Sequence, residues 1–94
     1  MLWKGKIPFK SPEVAWRTVD GESIIVLTKE SRVIVLNEVG TYIWELIDGR
    51  RSFQEIVTAV TEEFEVSALR ATEESAAFLE EIAAKGIIFL KDKD

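Results

Sequence analysis

Three short runs of β-branched and aliphatic residues, separated by turn-forming residues, constrain the fold of this chain most. They cover residues 14–19, 23–28 and 32–36. The dipeptide Asp20-Gly21 favours a tight hairpin after the first run, and the polar residues 29–31 provide the next turn. Strands joined by tight turns pair as an antiparallel meander. The sequence therefore predicts a three-stranded meander whose third strand lies at an edge.

The second half of the chain has apolar residues at helical spacing. The first predicted helix covers residues 38–47, with Asn37 as its N-cap. The second follows a capping box that Ser52 opens. The third covers residues 69–85, and Gly86 is suited to a left-handed cap at its end. Three helices are thus expected after the meander.

The order of these elements predicts an α+β fold, a three-stranded antiparallel meander followed by three helices, in a winged-helix-like arrangement. Residues 87–90 are apolar enough to form a short C-terminal strand. A length of 94 residues leaves room for one hydrophobic core, so we expect a single domain, residues 1–94. The ends, 1–7 and 91–94, are expected to be flexible. Trp44 is expected in the core, and Trp3, which lies outside the predicted elements, at the surface.

The inventory of chemical groups is poor in catalytic residues. The chain has no Cys and no His, which excludes a thiolate site and the Ser-His nucleophile pair and leaves only carboxylates for a metal. The acidic pairs at 62–63, 73–74 and 80–81 are typical of solvated helix faces, because adjacent helical residues point about 100° apart. The sequence predicts that the protein is not an enzyme and has no metal site and no cofactor.

The charge balance is acidic, with 17 Asp and Glu against 12 Lys and Arg and a net charge of -5. Such a surface repels phosphate groups, so nucleic acid and anionic membranes are not expected as partners. Residues 1–6 lack the apolar segment of a signal peptide, and no apolar run is long enough to span a bilayer. A cysteine-free small domain also fits a reducing compartment. These features predict a cytoplasmic protein.

Five segments, taken in order and spacing, resemble the PqqD family, which includes domains called RiPP recognition elements. They are Arg32-Val33-Ile34-Val35-Leu36-Asn37, Ile43-Trp44-Glu45-Leu46-Ile47-Asp48-Gly49, Ile56-Val57, Phe78-Leu79-Glu80-Glu81-Ile82 and Gly86-Ile87-Ile88. The resemblance covers roughly residues 8–90. Each motif is short and mostly hydrophobic, and their order carries the similarity.

The resemblance implies a carrier without catalytic activity of its own. In such domains, the leader segment of a ribosomally made precursor peptide docks as an added strand on the third strand and rests against the third helix. Carried over by position, the strand side of the site is Arg32, Val33, Ile34, Val35 and Leu36. The helix side is Thr72, Ser75, Ala76, Leu79 and Ala83, whose mostly small side chains could leave a groove. The family also implies a modifying enzyme as partner, often a radical SAM protein, as in pyrroloquinoline quinone biosynthesis.

The sequence also fits other functions. The order of elements also fits a winged-helix protein that binds nucleic acid or has a regulatory role, and the carboxylates could hold a hard cation in an enzyme. The unpaired edge could join two copies in a homodimer. Gly40, inside the first turn of the first helix, indicates either close packing or room for the backbone of a partner. At Glu74-Ser75 many relatives place Asp followed by an aliphatic residue, so the shape of the groove is not fixed by the resemblance.

Overall fold

The computed structural model describes residues 3–93. After a first strand that the sequence does not predict, strands and helices follow one another in the predicted α+β order. The elements are β1 (Lys6–Lys10), β2 (Val14–Val19), β3 (Glu22–Leu27), β4 (Arg32–Leu36), α1 (Glu38–Leu46), α2 (Phe53–Phe64), α3 (Ala68–Ala84) and β5 (Ile88–Asp92). Among the described residues, none of these helices has the length and apolarity that a membrane span requires.

The predicted meander is present as a sheet of β2, β3 and β4, with β3 in the centre. Ile25 lies opposite Trp16 on β2 and opposite Ile34 on β4, and both pairs of strands are antiparallel. Asp20 and Gly21 have φ angles of 51° and 79°, as a two-residue hairpin turn with two left-handed residues requires. β4 is an edge strand, as predicted.

The helix boundaries agree with the sequence to within one residue at each predicted end. The side-chain oxygen of Asn37 accepts a hydrogen bond from the N–H of Gly40 at 2.8 Å. Ser52 and Glu55 form the predicted capping box, each side chain accepting from the backbone N–H of the other. Gly86 ends α3 with a φ of 75°, and the predicted C-terminal strand follows as β5.

A second sheet, formed by β1 and β5, brings together the two ends of the described part of the chain. Phe9 lies opposite Phe89, eighty positions away in the sequence, so no local sequence pattern predicts this pairing. Trp3, expected at the surface, is only 1% exposed. Within the segments expected to be flexible, Lys6, Ile7, Lys91 and Asp92 are strand residues. Residues 1, 2 and 94 lie outside the described residues.

The core lies between the meander and the helices, and α1 is fixed to the sheet by a buried threonine. Trp44 is fully buried, as predicted, and packs with Ile25 and Ile43 in the core. Thr41 Oγ1 accepts a hydrogen bond from the N–H of Ser23 at 2.8 Å and donates one to the carbonyl of Leu36 at 3.3 Å. These two bonds join β3, the end of β4 and α1, which places the start of α1 beside the edge strand.

Replacing Trp3 with Ala tests the burial of the N-terminal segment. We expect Trp3→Ala to lower the free energy of unfolding by about 3–5 kcal/mol, because it empties a buried site of indole size. The matched control is Trp16→Ala, since Trp16 is 40% exposed and should lose only about 1–2 kcal/mol. Urea denaturation measures both values. Equal, small losses in the two variants would contradict the buried position of Trp3.

Asp48 makes stability depend on acidic pH. Its carboxylate accepts from the backbone N–H groups of Arg51 and Arg50, each at 2.9 Å, and lies 3.0 Å from the Arg51 guanidinium. These hydrogen bonds, that of Arg51 first, hold the pKa of Asp48 below its usual value. A lowered carboxyl pKa stabilises the fold above the ordinary pKa, and the contribution disappears as the pH falls through the folded-state value.

We therefore expect Asp48→Ala to lower the free energy of unfolding by about 1 kcal/mol at neutral pH. The difference from the unaltered protein should shrink as the pH falls below about 4. Denaturant unfolding at a series of pH values measures it, with Glu62→Gln, an exposed position on α2, as control. A difference that stays constant down to the lowest pH would contradict the role given to the Asp48 charge.

Candidate functional site

The outer side of β4 is an open sheet edge. β3 pairs with one side of this strand, and within residues 3–93 no strand pairs with the other side. In an antiparallel strand, the N–H and C=O groups of alternate residues point away from the paired neighbour. These groups are free to bond an added extended chain. All five strand residues predicted for the site therefore lie on a suitable edge.

The side chains of β4 alternate between two environments. Val33 and Val35 are 62% and 58% exposed, Ile34 is half-buried and Leu36 is buried. Ile34 and Leu36 thus face the core, whereas the two valines stand on the outer face of the sheet. Arg32 is exposed, with its guanidinium 3.6 Å from the carboxylate of Glu30. The edge therefore offers backbone N–H and C=O groups that are unpaired within residues 3–93, and beside them two exposed valine side chains on the outer face of the sheet.

A cleft of about 340 Å³ lies beyond the end of β4, between the first turns of α1 and the outer side of α3. Its lining is apolar in the middle and carboxylate-bearing on the α3 side. The residues are Asn37, Val39, Gly40 and Ile43 from the α1 side and Glu74, Ala77, Phe78 and Glu81 from α3. Because Asn37 directly follows β4, an extended chain on the edge would continue toward this cleft.

Gly40 lets α3 approach the start of α1. A Cβ atom at this position would lie 3.1 Å from Cε1 of Phe78 and 3.4 Å from Cβ of Leu36. Leu36, at the end of β4, and the Phe78 ring of α3 therefore both lie close to Gly40. Close packing was one of the two explanations for Gly40, and the contact involves α3 as well as the sheet.

The helix residues predicted for the site lie elsewhere on α3. Ser75 and Leu79 are 0% exposed, and Ala76 and Ala83 are half-buried against the core. The Ser75 hydroxyl has no hydrogen-bond partner among the described residues. At 100° per residue, these positions and Thr72 centre about 165° away from the α3 residues that line the cleft. The structure therefore does not bring this half of the predicted site to the edge strand.

The α3 residues that do face the cleft were missed as site residues. Glu74, Ala77, Phe78 and Glu81 recur at the i, i+3, i+4, i+7 spacing of one helix face. That stripe is visible in the sequence, but a glutamate at each end makes it resemble an ordinary solvated face. Gly40 is the residue that could have indicated this face. Glycine is unfavourable inside a helix, and its presence there suggests that another element packs closely against it.

Each of the two carboxylates on the rim of the cleft is paired with a basic side chain. Glu74 accepts from the guanidinium of Arg70 at 2.9 Å, and Glu81 lies 3.5 Å from the ammonium of Lys85. Both pairs are exposed and span one helical turn, so each contributes little to stability. The acidic pairs 62–63, 73–74 and 80–81 are exposed, as predicted, and Glu74 and Glu81 also line the cleft.

A second cluster lies at the opposite edge of the meander, around Lys10. Its ammonium group lies 4.2 Å from the ring centre of Trp16 and 4.7 Å from that of Trp44. Burial lowers the pKa of Lys10, against the opposing attraction of Glu45 and Asp48. The cation between two indoles joins β1, β2 and α1, and we interpret it as a packing contact.

A protein-family model described as "Coenzyme PQQ synthesis protein D (PqqD)" matches residues 22–88. The matched segment begins with β3 and ends at the first residue of β5. It therefore contains the edge strand and both sides of the cleft. No curated protein matches the chain.

Two solved structures have the same fold over most of the chain. One is described as "TbiB1 in Complex with the TbiA(beta) Leader Peptide". It is 25% identical, with a TM-score of 0.80, over 85% of this chain and 93% of the other. The second is described as "Lasso peptide synthetase B1 complexed with the leader peptide". It is 18% identical, with a TM-score of 0.79, over 87% of this chain and 96% of the other.

Replacing Gly40 with Ala tests the contact that forms the floor of the cleft. The new methyl group should displace the Phe78 ring by a few tenths of an ångström toward the open cleft. The gain in helix propensity, about 1 kcal/mol, should offset this strain, so we expect the free energy of unfolding to change by less than about 1 kcal/mol. Denaturant unfolding and the NMR shifts of the Phe78 ring measure the two effects. Unchanged ring shifts would contradict the described contact.

Proposed function

The chain belongs to the PqqD family, and on this premise we propose that it binds the leader segment of a ribosomally made precursor peptide. The leader adds as a fourth strand to β4 and continues into the cleft beside α3. The domain then presents the peptide to a modifying enzyme. The observation that carries this proposal is the combination of an open edge strand with an apolar cleft directly past its end.

Strand addition suits a carrier that must accept a flexible ligand. The backbone hydrogen bonds of the edge provide affinity that depends little on the sequence of the peptide. Side chains of the peptide that point inward would lie beside Ile34 and then reach the cleft over Gly40 and Phe78. The cleft, which is closed on one side by the contact between Gly40 and Phe78, then adds selectivity.

The peptide-binding site that we propose retains the predicted strand and revises the helix. The strand side is Arg32, Val33, Ile34, Val35 and Leu36. The helix side is Glu74, Ala77, Phe78 and Glu81, which line the cleft. Thr72, Ser75, Ala76, Leu79 and Ala83 would support α3 from behind rather than contact the peptide.

We further propose that the domain has no catalytic activity and that chemistry belongs to its enzyme partner, which in this family could be a radical SAM protein. The absence of Cys and His from the sequence supports this division of labour. A cytoplasmic location fits both a ribosomally made ligand and a chain without thiols. The solved complexes of TbiB1 and of the lasso peptide synthetase B1 with leader peptides support the same class of ligand.

An NMR titration tests the proposed site. The protein is labelled with ¹⁵N, and the ligand is the synthetic leader of a precursor peptide encoded beside this chain. We expect the largest shifts at residues 32–40 and 74–81, with small shifts across β5. Saturating peptide that leaves the amides of β4 unchanged would contradict strand addition.

A matched pair of charge substitutions separates the cleft from the rest of α3. Ala77 is exposed and lines the cleft, whereas Ala68 is exposed at the start of the same helix and does not line it. We expect Ala77→Arg to weaken peptide binding about tenfold or more, because the long side chain would occupy space in the cleft that the peptide enters. Ala68→Arg should change the dissociation constant by less than about twofold. Equal effects of the two substitutions would exclude the cleft as part of the site.

A further inference from the structure

Two cross-strand rows on the outer face of the meander are apolar at all positions but Arg17, although no described helix covers them. Antiparallel sheets with one solvated face usually carry polar residues there. The register instead places two rows on this face, Ala15–Val26–Val33 and Arg17–Ile24–Val35. Val33 and Val35, at the open end of each row, are exposed, whereas Ile24 and Val26 in the centre of the sheet are half-buried. The apolar character thus extends to the edge where a further strand would pair.

A second copy of the chain is a poor occupant for this face. Three strands of about five residues present roughly 240 Å² of flat sheet. A stable interface buries about 800 Å² on each partner. Two copies would also bring together chains with a net charge of -5 each, which repel one another. A strand added to β4, in contrast, would contact only the end of each row, at Val33 and Val35.

We infer that the leader peptide is recognised on both faces of the strand that it adds to β4, an inference that rests on the proposed function. Outward-pointing residues of the peptide extend the two apolar rows, one beside Val33 and one beside Val35. Directly opposed β-branched and aromatic side chains attract each other across neighbouring strands. The residue between the two outward positions points inward, toward Ile34 and the core side.

This geometry defines the class of peptide. The segment that pairs with β4 contains three consecutive apolar residues, of which the first and third are β-branched or aromatic. A leader with strict alternation of apolar and polar residues would satisfy the inner side alone and leave Val33 and Val35 exposed. The two valines are therefore specificity-determining residues of the site.

A displayed library of random twelve-residue peptides, selected on the intact protein, tests this inference. The selections use the unaltered chain, the double variant V33S/V35S and the control Val19→Ser, an exposed valine on β2 at the far edge of the same sheet. Thermal unfolding verifies that the three proteins fold. NMR shifts of the β4 amides identify those selected peptides that bind at the edge.

Peptides that bind β4 of the unaltered chain should carry β-branched or aromatic residues at both outward positions. Their affinity for V33S/V35S should fall about tenfold, roughly threefold for each lost cross-strand pair, and should change less than about twofold for Val19→Ser.

Polar outward residues, or unchanged affinity for V33S/V35S, would overturn the inference while leaving strand addition intact. If no selected peptide shifted the β4 amides, the proposed function would fail as well. Sedimentation as a dimer that V33S/V35S converts to a monomer would assign the face to a second copy and overturn the inference.

Discussion

The hydrogen bonds of one buried threonine determine where the edge strand and the cleft lie relative to each other. Thr41 Oγ1 accepts from the N–H of Ser23 and donates to the carbonyl of Leu36, so α1 is fixed at the point where β4 ends. A buried backbone carbonyl left without a partner would be costly. The start of α1 is thereby held beside the sheet, with Gly40 turned toward Phe78 of α3. Because this junction joins the end of β4 to α1, the cleft begins where the edge strand ends.

Local patterns in the sequence were sufficient for most of the fold. The meander follows from β-branched runs and the Asp20-Gly21 turn, and the helices from their caps and apolar stripes. Pairing between β1 and β5 could not be predicted in the same way, because it joins residues eighty positions apart. The burial of Trp3 has the same origin, since its surroundings come from elements distant in sequence.

The candidate site was predictable on its strand side only. Edge position follows from strand order, so residues 32–36 could be assigned from the meander and the family resemblance together. The helix side depends on the rotation of α3 about its own axis, which similarity by position does not fix. Small residues such as Ser75 and Ala76 suggested a groove, but small side chains also allow close packing against a core, and the structure places them there. Phe78, on the other side of α3, is half-buried and reaches the cleft.

Binding of a leader peptide should give β4 a second strand partner. Hydrogen–deuterium exchange of the backbone amides measures this directly, because open-edge N–H groups exchange fast and paired ones exchange slowly. With saturating leader peptide, the amides of residues 32–36 that point away from β3 should become strongly protected. The amides of β2, at the opposite edge of the sheet, should exchange as before. Peptide binding without new protection in β4 would contradict strand addition.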